Sequence, residues 1–408
     1  MHLSRILLTA AASLSILTLR AAEKLPDAGF SVKIFPSKAR NIADQFAGIL
    51  PQRPPCFPLT GSAVCGEPFS LHVTFFGAKP DRNRFRLTGK ITVTDPAGKK
   101  TEIPLKEQNM DFKEHSGGVF LYPQELRCIF EPQDPRGTYR FEAELTDCNA
   151  DRTAKDCAEV RYVEKTYPQP GVQAWKKLAD YYRSPSPEYI LPAFGEFLAG
   201  LPKQKEKEKK DFNPLPQLAF FYFLLRDNPQ CVTPFAERMK SLSGENRMLA
   251  AVVLCFALPA PSADLLPADE QKRILKMFPA NPFEIDRVTL PWHLDVCWAE
   301  FLVRGTRTPA MKAVKALELA SDSLSVKEFR AIASPSEEDR RRLLRGLTAY
   351  AASWSIGSLA KQHPLLRWYI EAALRRGEIK DPFAAALAAK AVGMQLQIGG
   401  KDSRDGKK

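Results

Sequence analysis

The segment Trp292-His293-Leu294-Asp295-Val296-Cys297-Trp298-Ala299-Glu300 holds the densest set of reactive side chains in the 408-residue sequence. On a helix, His293, Cys297 and Glu300 fall at i, i+4 and i+7, so an imidazole, a thiol and a carboxylate would share one face. That combination suits metal ligation or nucleophilic catalysis. A second pattern runs through the same residues. Leu294, Cys297, Trp298, Phe301 and Leu302 form an apolar stripe at i, i+3, i+4, i+7 and i+8, in which Cys297 is a small core residue. Isolated thiols are more often buried and inert than reactive, and the segment is read as core with His293 and Glu300 at its solvent edge.

His363 follows Ser353, Ser355 and Ser358, which raises a Ser–His nucleophile. Neither a G-x-S-x-G elbow nor a strand–turn–helix context accompanies them. The stretch from Ala349 to Gln362 reads instead as a small-residue helix packed closely among neighbours and ended by Pro364. No catalytic residue, metal ligand or cofactor-binding residue is assigned.

The remaining chemistry is that of cysteine. Met1–Leu19 has the pattern of a secretory signal: Arg5 charges its start, Ile6–Leu19 is uncharged and apolar or small, and Ala21-Ala22 offers a cleavage site. Export places the chain in the periplasm or at the cell surface, an oxidising space where cysteines pair. None of the eight asparagines heads an N-x-S/T triplet, which points to a bacterial envelope rather than a eukaryotic ectodomain. Cys148 and Cys157 lie at the end and start of successive expected strands, and Cys56 and Cys65 flank a Pro/Gly-containing loop. Two disulfides are expected, Cys148–Cys157 and Cys56–Cys65, each closing a loop of about ten residues for roughly 2–3 kcal/mol. Cys128 points inward with Leu126 and Phe130 as a buried thiol.

The elements that would carry these residues divide by period. From Phe69 to about Val163 the period is two: Phe69, Leu71, Val73 and Phe75 alternate with Ser70, His72 and Thr74, and Tyr139, Phe141, Ala143 and Leu145 repeat the pattern. About seven short strands with turns every 8–12 residues indicate an antiparallel sandwich. Asp134-Pro135-Arg136-Gly137-Thr138-Tyr139 opens a strand in the manner of a tyrosine corner, and there the region resembles an immunoglobulin-like domain. It departs from antibody-type domains at Phe141, which stands where their second core cysteine would be, and in having all five tryptophans beyond residue 170.

Beyond the linker Thr166–Gly171 the period is helical. Starts are marked at Ser186-Pro187, Thr233-Pro234, Asn281-Pro282, Thr308-Pro309, Ser336-Glu337-Glu338-Asp339 and Asp381-Pro382, and ends at Gly200, Gly305 and Gly377. Leu218–Leu225 and Met248–Leu258 are apolar enough to be central buried helices. The expected organisation is a signal peptide over 1–22, an extension over 23–66, an immunoglobulin-like β-sandwich over 67–165, a linker over 166–172, an all-α domain (irregular solenoid or bundle) over 173–398, and a tail over 399–408.

The net charge is +12, concentrated in the helical part, yet the basic runs are diluted. Lys203–Lys210 alternates with glutamates and reads as a solvated loop or short exposed helix. Arg340, Arg341, Arg342 and Arg345 follow Glu337 and Glu338, which supply i, i+4 partners to Arg341 and Arg342. No phosphate loop or nucleic-acid-reading motif is present. These features favour a non-catalytic binding or scaffolding protein whose partner is another envelope or extracellular protein, without nucleic acid and with at most peripheral membrane contact. A secreted hydrolase with its site in the helical part, and electrostatic binding of anionic glycan or lipid, are the alternatives.

Overall fold

Alternation drives the first half of the chain. In the computed structural model, which describes residues 29–47, 55–111, 118–164, 173–208, 213–259, 262 and 264–395 (side chains except over 202–208), β3 (Phe69–Phe76) turns Phe69, Leu71, Val73 and Phe75 into a core. The expected signal peptide, the linker and the tail lie outside the described residues. Two sheets form. In the first, β1 (Ser31–Ser37) and β3 pair antiparallel, and β6 (Val119–Leu121) and β7 (Leu126–Cys128) both pair with β3. The second runs β2 (Ser62–Ala63), β9 (Arg152–Tyr162), β8 (Gly137–Asp147), β4 (Arg84–Thr94) and β5 (Lys100–Asp111). Both contribute to one buried cluster, with Ile34, Leu71 and Val73 from the first sheet and Leu87, Ile91, Ala143, Leu145 and Val160 from the second. Burying apolar area at roughly 25 cal/mol per Å² is what holds the sheets folded.

Three expectations need correction. The segment 23–66 is more than an extension: it supplies β1, the short helix α1 (Ile42–Ala47) and β2. Pro36 disguises β1, yet it is tolerated because β1 has β3 as its neighbour on one side only. On the β1 backbone, the Ile34 N–H donates to the Asp156 carboxylate (3.0 Å). The sheets are also not purely antiparallel, because β2 runs parallel to β9.

The cysteine pairings are the third. All eight cysteines are free thiols in the structure. Asp147 pairs with Arg152, so Cys148 sits in the hairpin turn, whereas Cys157 lies five residues up β9 opposite Glu142. At about 3.3 Å per residue that is about 17 Å along the strand, and a disulfide needs Cα atoms within about 7 Å. The Cys148–Cys157 bridge does not fit this register. Cys56 and Cys65 are held by different pieces of structure: the Cys56 N–H donates to Gln45 of α1 (2.8 Å), and Cys65 bridges to Phe130.

Two local features fix the ladder. The Tyr139 hydroxyl donates to the Pro135 carbonyl (2.9 Å), closing the expected corner. Gly89 sits at a register shift in β4, where an added Cβ would lie 2.2 Å from the Glu144 carbonyl oxygen of β8.

The chain divides into two compact units. Among the described residues, one comprises those up to Ala193 together with Asn228–Pro234, and the other Phe194–Asp227 and those from Phe235 onward. The helices are α2 (Ala174–Leu178), α3 (Ile190–Glu208), α4 (Leu215–Asp227), α5 (Val232–Lys240), α6 (Gly244–Ala257), α7 (Ala268–Met277), α8 (Pro291–Arg304), α9 (Arg307–Lys315), α10 (Val326–Arg330), α11 (Glu337–Gln362), α12 (Pro364–Arg375) and α13 (Pro382–Val392). Leu218–Leu225 of α4 is buried without a break, as its composition demands, and α4 packs against α6 and α8.

The punctuation is read correctly at Asp381, whose carboxylate accepts the Ala384 N–H (2.7 Å), and at Gly305, left-handed at φ 61°. Ser336 and Asp339 form the capping box that starts α11. Elsewhere the signals mislead. Asn281-Pro282 makes a turn, with its helix starting later at Pro291. Asn228-Pro229 rather than Thr233-Pro234 opens the turn leading into α5. Gly200 lies inside α3, which continues to Glu208 and takes in much of the Lys203–Lys210 stretch.

Candidate functional site

Pro291 at the first position of α8 directs His293, Cys297 and Glu300 onto a helix as expected, but the three groups are engaged separately. The Thr289 N–H donates to His293 Nδ1 (3.1 Å), which fixes a neutral ring with its proton on Nε2, and burial lowers the histidine's pKa. Cys297 is buried, and desolvation pushes its thiol up to about 12. Glu300 accepts from Arg304 (2.8 Å), whose guanidinium also forks onto Asp227 (2.8 and 2.9 Å) over the Phe223 ring. A thiol held protonated is neither a nucleophile nor a metal ligand. Among the described residues, no group of three or more His, Cys, Asp and Glu is placed to hold a metal ion.

His363 is the junction residue between α11 and α12, buried with its ring edge-on to Phe301 (5.9 Å). Two of the serines bond within the helix: Ser355 Oγ donates to the Ala352 carbonyl (3.1 Å), and Ser358 Oγ accepts from the Gln362 side-chain amide (3.5 Å). The structure does not assemble a Ser–His pair from them.

Sequence reading passed over two other features. The first is the outer face of β3. Ser70, His72 and Thr74 alternate with the core residues of β3, and all three are buried. Phe35 stacks on the His72 ring (5.5 Å), and His72 Nε2 has no hydrogen-bond partner among the described residues. Burial lowers the His72 pKa against the opposing pull of Glu125. Ser70 and His72 of β3 thus lie near the carboxylate of Glu125 from the β6–β7 connection, but the connectivity is wrong for nucleophilic catalysis. The Ser70 hydroxyl donates to Glu125 rather than to the imidazole that would have to take its proton.

The second feature is α11. Thr348, Ala349, Ala352, Ile356 and Ala360 are buried on its inner face. Small residues let neighbours approach closely: a Cβ on Gly346 would meet the Leu324 carbonyl at 2.6 Å, and one on Gly357 the Ala391 carbonyl at 3.5 Å. The large apolar residues are turned outward. Tyr350 and Trp354 are 73% and 68% exposed, Leu347 40% and Leu344 37%. Leu343, Leu347, Tyr350 and Trp354 are spaced 4, 3 and 4, which places them in one stripe. The spacing is legible in the sequence, but the alanines and serines between these residues point to packing, and sequence does not say which face the neighbours leave open.

At the head of α11, Arg341, Arg342 and Arg345 are ion-paired. Arg341 lies 3.5 Å from Glu337, Arg342 turns to Asp322 (3.5 Å) instead of the expected Glu338, and Arg345 reaches Glu338 (2.8 Å) as well as Asp322. These three form surface ion pairs rather than an open anion cradle. No helix among the described residues is long and apolar enough to cross a membrane.

No protein-family model matches the chain, and no curated protein matches it. Among solved structures, a family 123 glycoside hydrolase from Clostridium perfringens, studied for glycolipid glycan hydrolysis, is similar at 9% identity and a TM-score of 0.24. The match covers 44% of this chain and 36% of that one, and a superposition so loose transfers neither fold nor activity.

Proposed function

We propose that this is an exported protein that acts by binding another protein through the outward face of α11, without catalysis. The observation that carries this reading is the stripe of Leu347, Tyr350 and Trp354, large apolar side chains left in water on a helix whose inner face is already packed. Exposed apolar patches of this kind are costly in isolation and mark contact surfaces. Aromatic residues on such a face are the usual anchors of a protein interface. The dispersal of His293, Cys297 and Glu300 into separate local roles supports the non-catalytic half of the proposal.

The extracytoplasmic location rests on the Met1–Leu19 pattern. For the first unit, the shared core of the two sheets and the Tyr139–Pro135 bond support an immunoglobulin-like sandwich that serves as a rigid module. The test is a photo-crosslinking amino acid placed at Tyr350 or Trp354 in cells. A discrete protein adduct at both positions, absent from a control at exposed Arg341, is expected. No adduct at either position, with the protein folded and abundant, would contradict the proposal.

A further inference from the structure

We infer that the outer face of β3 carries an acid-sensitive cover, with His72 beneath it as the sensor. His72 lies directly opposite Phe35 of β1. Its ring stacks on Phe35, which stacks in turn on Phe57 (4.8 Å). Phe35, Ala39 and Ile42 are the buried members of a cluster that also packs Phe46, Phe57 and Leu121. Phe35 flanks β3 on one side, and Leu121, opposite Thr74, flanks it on the other. A cluster that holds both spans the outer face of β3, with α1 and Phe57 as the cover.

This cover is separable from the main core. That core takes Leu71, Val73 and Phe75 from the opposite face of β3, and none of the cover's side chains belongs to it. The polar bonds that pin the cover include Ser37 hydroxyl to Pro58 carbonyl (2.6 Å), Thr60 N–H to Pro36 carbonyl (3.0 Å) and Cys56 N–H to Gln45 (2.8 Å). Opening it exposes a small apolar patch and leaves the strands of both sheets paired.

A neutral imidazole suits this place and a charged one does not. His72 is 5% exposed, and its Nε2 has no hydrogen-bond partner among the described residues. Protonation would set a full charge under the cover with one N–H unmet, and a buried charge without a partner is costly. The charged and titratable groups on the surrounding elements are Glu125 and Arg127 from the β6–β7 connection and β7, Lys33 in β1 and Lys38 after it, Arg40 and Asp44 at α1, and Cys56. Lys33 pairs with Asp156 (3.2 Å) and Lys38 with Glu67 (2.8 Å). Glu125 is exposed and accepts the Ser70 hydroxyl. It pulls His72 toward the charged form, and burial outweighs it, so the folded pKa lies below the ordinary 6.5. As the pH falls through 6.5, the uncovered histidine takes the proton first and the equilibrium moves toward the open cover.

The experiment is hydrogen–deuterium exchange of the purified protein at pH 7.5 and 5.5, with rates corrected for intrinsic exchange. Opening of residues 39–47 and 56–60 should rise by as much as about tenfold, the gain of a solvated histidine of pKa 6.5 over a ring kept neutral. Strand β8, in the main core, should keep its protection. His72→Phe retains an aromatic ring in the stack and should abolish the rise. His72→Gln, which carries no charge at either pH, makes the same test if the phenylalanine variant does not fold.

Equal protection of the cover at the two pH values overturns the inference, since Glu125 would then accommodate the charged ring within the closed fold. A rise that survives in the His72 variants overturns it as well, because another group would be titrating. Loss of β8 protection in step with the cover would make the event global unfolding, and the separable cover would fall.

Discussion

Cys297 shows how one residue type takes its chemistry from its surroundings. In sequence it stands between an imidazole and a carboxylate; in the fold it is desolvated and its thiol is held up to about 12. At pH 8 it is therefore protonated and inaccessible, whereas Cys56 and Cys157 are exposed. A maleimide or iodoacetamide pulse on the folded protein should label Cys56 and Cys157 and leave Cys297 untouched until denaturant is added. Mass spectrometry of the peptides reads this directly, and prompt labelling of Cys297 would contradict the assignment.

His72 gives a pH prediction with a definite sign. Its folded pKa lies below the ordinary 6.5 because burial disfavours the charged ring, so below that pH the unfolded chain binds the extra proton. Stability attributable to His72 is then present at pH 7.5 and lost as the pH falls through 6.5. His293 shifts in the same direction and contributes to the same slope. Urea titrations at several pH values should show a weaker dependence between pH 7.5 and 5.5 in His72→Phe than in the parent, and an unchanged slope would count against a buried neutral His72.

At the level of elements, the two periods were legible and so was much of the punctuation. The alternation of β3 and β8 and the uninterrupted apolar run of α4 translate into structure because a half-buried strand and a central helix leave no other place for those side chains. What stayed hidden has identifiable causes. β1 carries Pro36, and a strand proline is tolerated only where its missing N–H is not needed, which depends on which strands flank it. The Cys148–Cys157 pairing looked right by sequence distance, but strand register, set by turn geometry and by the core, moved the partners apart. Asn281-Pro282 carried a start signal for a helix that begins elsewhere, because such a pair serves a turn equally well.

Gly89 is the element-scale test. An added methyl would lie 2.2 Å from backbone oxygen in the neighbouring strand, so β4 and β8 would have to separate at the centre of the larger sheet. Gly89→Ala should destabilise the protein by about 2–4 kcal/mol, seen as a lower urea midpoint. Gly98→Ala should cost less, because nothing lies within 4 Å of its added Cβ and only the left-handed turn (φ 84°) is strained.

For the whole molecule, the change of period near residue 166 points to a β part followed by a helical part, and the structure has that order. Function was less legible. The residues with catalytic potential, His293, Cys297 and Glu300, stand out in the sequence, and in the fold each is engaged in a separate local contact. The exposed face of α11 was hidden among small residues, because sequence alone does not say which face of a helix its neighbours leave open. The +12 charge is a poor guide for the same reason, since much of the arginine at the head of α11 is ion-paired. Retention on heparin should therefore disappear by about 0.3 M salt, where exposed charges are largely screened; binding that persists beyond that would revive the anionic-ligand alternative.

The most direct test of a binding role for α11 is hydroxyl-radical footprinting of Tyr350 and Trp354, comparing the protein in its native compartment with the same protein purified and dilute. The account predicts that both side chains are oxidised readily in dilute solution, as their exposure requires, and protected in the compartment. Equal oxidation of the two residues in both settings would mean that nothing covers this face, and the central claim would be wrong.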